Sequence, residues 1–193
     1  MHKTRAAPNL SLLAHPQTAN DAVRRITACA ERVAADTLWL QYVLEADLGR
    51  VRVPVAVPGS GREDRLWAHT CFEVFVAFAD RPGYLELNFS PSGQWAAYRF
   101  DAYRAGMAPT ELPETPQIEV RRDPRQLELL ARVRVPLTGG WAGGWRLALS
   151  AVVEEETGGL SYWALRHAPG RPDFHHPESF TLALELPNHP PEP

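Results

Sequence analysis

Residues 66–100 read LWAHTCFEVFVAFADRPGYLELNFSPSGQWAAYRF, and this stretch decides the fold. Apolar residues recur at every second position, which predicts three strands, at 71–78, 84–89 and 94–100. The side chains predicted to face the core are Phe72, Val74, Val76 and Phe78 in the first strand and Leu85, Leu87 and Phe89 in the second. Glu73 is therefore expected on the opposite face, among apolar neighbours. Tyr84, Glu86 and Asn88 share the corresponding face of the second strand.

The turn between the second and third strands, Ser90-Pro91-Ser92-Gly93, predicts how they pair. Proline suits the first central position of a type I turn, and glycine readily adopts the left-handed conformation that follows. The resulting three-residue loop with a bulge pairs Glu86 with Tyr98 and directs Trp95 into the core. A two-residue loop is the alternative, and it would shift the register by one residue and place Trp95 beside Asn88.

The rest of the chain also has period-two alternation, interrupted by many of its 18 prolines and 13 glycines. Residues 23–34 fit a helix or a strand, and the alternation favours a strand. Further strands are predicted at 37–48, 118–122, 127–135, 145–154, 160–165 and 180–186, with loops or turns at 54–64, 105–116 and 138–144 and a proline-rich tail at 188–193. This pattern is typical of an all-β antiparallel sandwich, jelly-roll-like or with immunoglobulin-like packing of two sheets. We expect one domain over 1–193.

Charge and composition exclude several classes of function. The net charge is −3, and arginines alternate with acidic residues rather than clustering, so no nucleic acid is expected as a partner. No apolar run approaches the roughly 20 residues that span a membrane, and residues 10–14 are too short for a signal peptide core. We therefore expect a soluble, cytoplasmic protein with no membrane partner. Cys29 and Cys71 lie in strand-like apolar runs and are predicted to be buried thiols.

Three segments resemble bacterial DOMON-like proteins, which are related to the family 9 carbohydrate-binding modules. They are LWAHTCFEVFVA (66–77), YLELNFSPSGQWAAYRFDAYRAGM (84–107) and YWALRHAPGRPDFHHPESFTLAL (162–184). The resemblance implies an antiparallel β-sandwich that binds sugars, or haem in some relatives, and structural calcium in the carbohydrate modules. This chain has Ala68-His69-Thr70 where those modules have an Asp-rich approach to the strand, so calcium is not favoured.

A sugar site needs an aromatic platform for the apolar face of the ring and planar polar groups for its hydroxyls. The residues predicted to bind the ligand are Trp67, Glu73, Glu86, Asn88, Tyr98, Arg99, Arg166, His167 and His175. Asp173 and His176 lie in the same loop as His175. The alternative is that Glu73 and Glu86 form structural ion pairs with Arg99 or Arg166. Whether their face of the sheet is a pocket or exposed surface stays open.

Metal binding, haem binding and hydrolysis have fewer supporting residues in the sequence. Neither His-x-His nor HExxH occurs, so no metal site is predicted. Haem needs axial ligands, for which Met107, His69 and His167 are the candidates. Glu73 and Glu86 on adjacent strands are compatible with a hydrolase that uses paired carboxylates, but no nucleophile elbow or phosphate-binding loop is present. We expect a non-catalytic domain that binds a carbohydrate or related polyhydroxylated small molecule, with haem binding and hydrolysis as the alternatives.

Overall fold

The computed structural model describes residues 8–18, 20–59, 61–79, 82–137 and 143–187. Most of the turn predicted at 138–144, the tail at 188–193 and the first seven residues lie outside these ranges. Among the described residues, no helix is long and apolar enough to cross a membrane.

The predicted hairpins at the centre of the chain are confirmed. Strand β4 is Cys71–Phe78, β5 is Tyr84–Phe89 and β6 is Trp95–Phe100. In the turn, the N–H of Ser90 donates to the carbonyl of Gln94 at 2.9 Å, and Gly93 has the expected positive φ of 86°. Because this turn sets the register, Glu86 pairs with Tyr98 and the side chain of Trp95 packs in the core.

The remaining strands follow the same period-two rule, and the ambiguous segment at 23–34 is a strand over its whole length. Their bounds are β1 Leu10–Ala14, β2 Val23–Ala34, β3 Thr37–Ala46, β7 Ala108–Pro109, β8 Gln117–Arg122, β9 Gln126–Arg134, β10 Trp145–Glu154, β11 Leu160–Ala164 and β12 Leu182–Leu184. Strands β1 and β7 are short and were not predicted. Strand β12 is shorter than the predicted 180–186, and a turn of 3₁₀ helix at Pro177–Ser179 precedes it.

The strands pair antiparallel and curl into two facing layers. One layer, called the front sheet, has the order β7-β6-β5-β4-β10-β11, with β12 also pairing with β10. The other, called the back sheet, has the order β2-β3-β9-β8. Strand β1 joins the layers, because its first half pairs with β2 and its end pairs with β11. The all-β antiparallel prediction is confirmed.

The main hydrophobic core lies between the two sheets and contains residues from one face of every strand except β7. Tyr42 of the back sheet stacks on Phe72 of the front sheet, with ring centroids 5.1 Å apart. The Tyr42 hydroxyl donates to the backbone carbonyl of Glu73 at 2.6 Å. This hydrogen bond links the back sheet to the backbone of Glu73, whose side chain points away from the core on the other face of β4.

A second apolar cluster covers the outer face of the front sheet. It contains Cys71 and Phe75 of β4 together with Phe174 and Phe180, which belong to the segment between β11 and β12. That segment, residues 165–181, is called the covering loop below. Both cysteines are buried thiols, as predicted. Since apolar residues cover both faces of the front sheet, any polar side chain of β4 or β5 that points outward is buried.

Candidate functional site

A cavity of about 350 Å³ lies between the outer face of the front sheet and the covering loop. Glu73 and Glu86 form its floor. Its aromatic walls come from Trp67, Phe100, Tyr162 and Phe174, and its rim from Arg104, Met107, Pro172 and His175. The face that carries Glu73 and Glu86 is therefore a pocket rather than an exposed surface.

Glu73 is the cavity-lining member of a row of buried polar side chains on three adjacent strands. Glu73 of β4 is paired in register with Asn88 of β5 on one side and with Ser150 of β10 on the other. Their exposed fractions are 2% for Glu73 and 0% for the other two. Within the described part of the chain, Glu73 Oε1, Asn88 Oδ1 and Ser150 Oγ have no hydrogen-bond partner. Because unpaired buried polar atoms are costly, Glu73, which lines the cavity, is suited to a molecule that supplies a hydrogen bond.

The carboxylate form of Glu86 has more stabilising neighbours than that of Glu73. The amide Nδ2 of Asn88 donates to Glu86 Oε1 at 2.8 Å. Burial raises the pKa of Glu86, while this hydrogen bond and the positive charge of Arg104 act in the opposite direction. Burial, followed by the neighbouring charge of Glu86, raises the pKa of Glu73 well above its ordinary value. As pH rises, Glu86 therefore ionises first, and Glu73 keeps its proton to a higher pH than Glu86 does.

His175 of the covering loop faces this pair as a neutral imidazole. The Tyr84 hydroxyl accepts the backbone N–H of Arg104 at 3.2 Å and is hydrogen-bonded to His175 Nδ1, 2.8 Å away. The other ring nitrogen, Nε2, lies 3.8 Å from Glu86 Oε2. Burial first, and then the charge of Arg104, lowers the pKa of His175 to about 4. At neutral pH the contact with Glu86 is not an ion pair.

An ion pair fastens the covering loop to the segment after β6. Arg104 donates to Asp173 Oδ1 from Nη2 at 2.8 Å and from Nε at 3.2 Å. The Tyr103 hydroxyl donates to the other oxygen of Asp173, and the backbone N–H of His175 donates to Oδ1. Arg104 has a positive φ of 53°, which an L-residue rarely adopts without tertiary support. These bonds hold Arg104 and His175 on the rim.

The aromatic wall beside the floor is built on Trp67, which lies in a turn of 3₁₀ helix at Leu66–Ala68. Its ring packs edge-on against Tyr98, with centroids 5.5 Å apart. The Tyr98 hydroxyl donates to Asp64 Oδ1 at 2.6 Å, and burial together with this bond raises the pKa of Tyr98 to about 12. Tyr98 therefore positions Trp67 from behind and stays neutral.

Six of the nine sequence-predicted residues belong to this site. Trp67, Glu73, Glu86 and His175 line the cavity, and Asn88 and Tyr98 hold residues that line it. The structure does not bring Arg99, Arg166 and His167 to the cavity.

Each of those three residues has another position and partner. Arg99 lies opposite Leu85, so it shares the core-facing side of the sheet, and it ion-pairs with Asp101 at 2.8 Å. Arg166 pairs with Glu178 at 2.8 Å. His167 Nε2 lies 2.8 Å from the carbonyl of Leu13.

The alternative of structural ion pairs between the two glutamates and Arg99 or Arg166 is wrong. The reason is that both arginines are exposed and bind other carboxylates. The cation that does approach Glu86 is Arg104, which sequence reasoning missed together with Phe100, Tyr162 and Phe174 as lining residues. The only signal for Arg104 was its place in the motif 84–107.

The haem candidates do not converge. Met107 is on the rim of the cavity, whereas His69 Nδ1 lies 2.7 Å from Glu154 Oε2 and His167 is bound to Leu13. Calcium takes six to eight oxygen ligands. At 68–70 the Thr70 hydroxyl is engaged by backbone groups of Arg52 and Glu154, so these residues do not fit calcium. The described residues contain no group of three or more His, Cys, Asp or Glu placed to hold a metal.

Comparison with known proteins gives similarity in structure only. No family model matches the chain, and no curated protein matches it in sequence. A protein of Bacteroides uniformis, described as a candidate carbohydrate-binding protein, superposes with a TM-score of 0.64 at 18% identity, over 92% of this chain and 85% of that one.

Two structures of a family 9 carbohydrate-binding module from Caldicellulosiruptor kristjanssonii are also similar, both at 9% identity. The complex with cellotriose has a TM-score of 0.56 and covers 96% of this chain and 85% of that one. The complex with glucose has a TM-score of 0.52 and covers 97% and 85%. At these identities the likeness concerns the fold, and this chain has the antiparallel β-sandwich fold of these proteins.

Proposed function

We propose that this protein is a non-catalytic binding domain for a carbohydrate or a related polyhydroxylated small molecule, and that the cavity over Glu73 and Glu86 is its binding site. The observation that carries the proposal is the buried Glu73 carboxyl, whose Oε1 is unpaired within the described residues, beside Glu86 at the bottom of an aromatic-walled cavity. A sugar presents hydroxyls around its edge and C–H groups on its faces. It therefore satisfies both kinds of surface at once.

The dimensions of the cavity agree with a small ligand. Its volume of about 350 Å³ is at the lower end of the about 300–1,000 Å³ found for small-molecule sites. Asn88 and Glu86 are already hydrogen-bonded to each other, and Tyr84 orients His175. Preorganised polar groups of this kind lower the entropic cost of binding.

The fold likeness supports the proposal. The Caldicellulosiruptor module was solved with cellotriose and with glucose, and the Bacteroides protein is described as a candidate carbohydrate-binding protein. Together with motifs 66–77, 84–107 and 162–184, this likeness supports placing the chain among the bacterial DOMON-like relatives of family 9 modules. Of the nine residues predicted from sequence, the six at the cavity remain in the proposal, and Arg104 joins them.

Titration calorimetry with a panel of mono- and oligosaccharides tests the proposal. We expect binding to at least one sugar, and at least about a tenfold loss of affinity in Trp67→Ala and in Glu86→Gln. Arg99→Ala is the matched control, since Arg99 lies on the other side of the same sheet and should leave affinity unchanged. No heat with any sugar at millimolar concentration would reject the proposal.

The carboxyl pair favours one second candidate, a glycoside hydrolase. Glu73 keeps its proton while Glu86 ionises, which is the division of roles between a general acid and a base or nucleophile. Diagonal residues on adjacent strands lie about 7–8 Å apart, within the separations that glycosidases use. Aryl glycosides test it: turnover that disappears in both Glu73→Gln and Glu86→Gln supports hydrolysis, and no turnover in the wild type excludes it for those substrates.

A further inference from the structure

We propose that the ligand carries a cationic amine at the floor of the cavity, so that the preferred ligand is an amino sugar rather than a neutral sugar. This inference rests on the proposed function and specifies its substrate class. The same floor, however, would also recognise an ammonium group on a molecule that is not a sugar.

The hydrogen-bonding groups of the floor are mainly acceptors in need of donors. Glu73 Oε1 has no partner among the described residues. Glu86 Oε2 has His175 Nε2 at 3.8 Å, which is beyond hydrogen-bond length. A sugar hydroxyl donates one hydrogen bond, whereas an ammonium group donates three. One ammonium group can therefore donate to both Glu73 and Glu86, the two carboxyl groups that line the cavity.

The charges around the floor also call for a cation. Two hydrogen bonds commit the guanidinium of Arg104 to Asp173, so these two charges balance each other. His175 is neutral at neutral pH. The charge of Glu86 is therefore opposed mainly by a cation that already has a carboxylate partner, and Glu73, which has no cation beside it, keeps its proton. An ammonium group between Glu73 and Glu86 would supply the missing positive charge.

The walls are suited to the same group. Trp67, Phe100, Tyr162 and Phe174 surround the floor, and the faces of aromatic rings attract desolvated cations. Aromatic walls also accept the apolar face of a sugar ring. A hexosamine combines both contacts with the hydrogen bonds of its remaining hydroxyls.

Titration calorimetry on the full chain tests the inference with glucosamine, galactosamine and mannosamine, each against its parent hexose and its N-acetyl derivative. We expect at least one hexosamine to bind about tenfold or more tightly than both of its neutral counterparts. The preference should disappear in Glu73→Gln and in Glu86→Gln. Glu119→Gln makes the same chemical change at an exposed site on β8 and should keep it.

Proton release gives an independent readout. Because burial and the charge of Glu86 raise the pKa of Glu73, a bound ammonium group should displace the proton of Glu73 into the buffer. Titrations in two buffers of different ionisation enthalpy should show this release with the hexosamine, and much less with the parent hexose. It should be absent in Glu73→Gln.

The outcomes separate this inference from the proposed function. Equal or tighter binding of a parent hexose overturns the amine inference and leaves sugar binding intact. A simple amine such as cyclohexylamine that binds as tightly as every hexosamine, with no neutral sugar binding, supports the amine site and rejects sugar binding. A hexosamine preference that persists in both glutamine variants overturns the assignment to Glu73 and Glu86.

Discussion

Replacing Glu73 by glutamine should stabilise the folded protein, increasingly so as pH rises. Glu73 is 2% exposed, its Oε1 has no partner within the described residues, and burial raises its pKa well above the ordinary value. Glutamine has nearly the same shape and never ionises. The substitution therefore removes the cost of keeping an acid in an apolar site without opening a cavity.

The size of the effect follows from proton linkage. Below its ordinary pKa, Glu73 is protonated in both the folded and the unfolded chain and adds no pH dependence. Above that value the unfolded chain loses the proton while the folded chain keeps it. The free energy of unfolding then falls by about 1.4 kcal/mol for each pH unit, until pH passes the raised pKa of the folded state. Over two pH units the glutamine variant should gain about 3 kcal/mol relative to the wild type.

Urea unfolding at a series of pH values measures this difference directly. The Glu119→Gln variant is the control, because Glu119 is exposed and its change should shift stability by less than about 0.5 kcal/mol at any pH. A constant difference between wild type and Glu73→Gln across the pH series would refute the reasoning. It would mean that Glu73 ionises in the folded protein as it does in the unfolded chain.

Three further perturbations test the fold around the site. Gly83→Ala should destabilise the protein by more than about 1 kcal/mol in thermal unfolding. The reason is that Gly83 has a φ of 88° and that a Cβ there would lie 2.4 Å from a backbone oxygen of Phe100. An unchanged melting temperature would contradict this. Phe75→Ala removes the ring under the covering loop and should cost about 3–5 kcal/mol by urea unfolding, unlike an exposed substitution. Both thiols should be unreactive to a disulfide reagent until the protein unfolds, because both are buried and burial raises the pKa of Cys71 well above its ordinary value. Fast labelling of the native protein would show that the strands carrying the cysteines open.

Much of the fold could be predicted because its rules are local. Side chains in a strand alternate between faces whatever the strand packs against, so the alternation in 71–78 and 84–89 placed Glu73 and Glu86 on one face. The turn Ser90-Pro91-Ser92-Gly93 then determined the pairing of Glu86 with Tyr98 and placed Trp95 in the core. Strands β1 and β7 were not predicted, because such short segments contain too few residues to establish a period-two alternation.

The candidate site was predictable only where it lies on those strands. Glu73, Glu86 and Asn88 were placed by alternation, and Trp67 and His175 came from segments that resemble a known family. Arg99 lies away from the cavity for a local reason: it is paired with Leu85 and therefore points to the other face of the sheet. Arg166 and His167 lie in the covering loop, but at positions where their side chains bind Glu178 and Leu13 instead of the cavity.

The sequence by itself determined which residues form the strands, which face each one takes and how the central hairpin pairs, because those properties depend on neighbours a few residues apart. Only the tertiary structure decided that this face lines a pocket. The ion pair of Arg104 with Asp173 and the hydrogen bond of Tyr84 to His175 join residues 69 and 91 positions apart. The irregular loops that supply Arg104, Asp173 and His175 have no period that would reveal their positions. Their contacts bury Glu73 and Glu86 together, and that shared burial gives the two carboxyl groups the chemistry on which the proposed function depends.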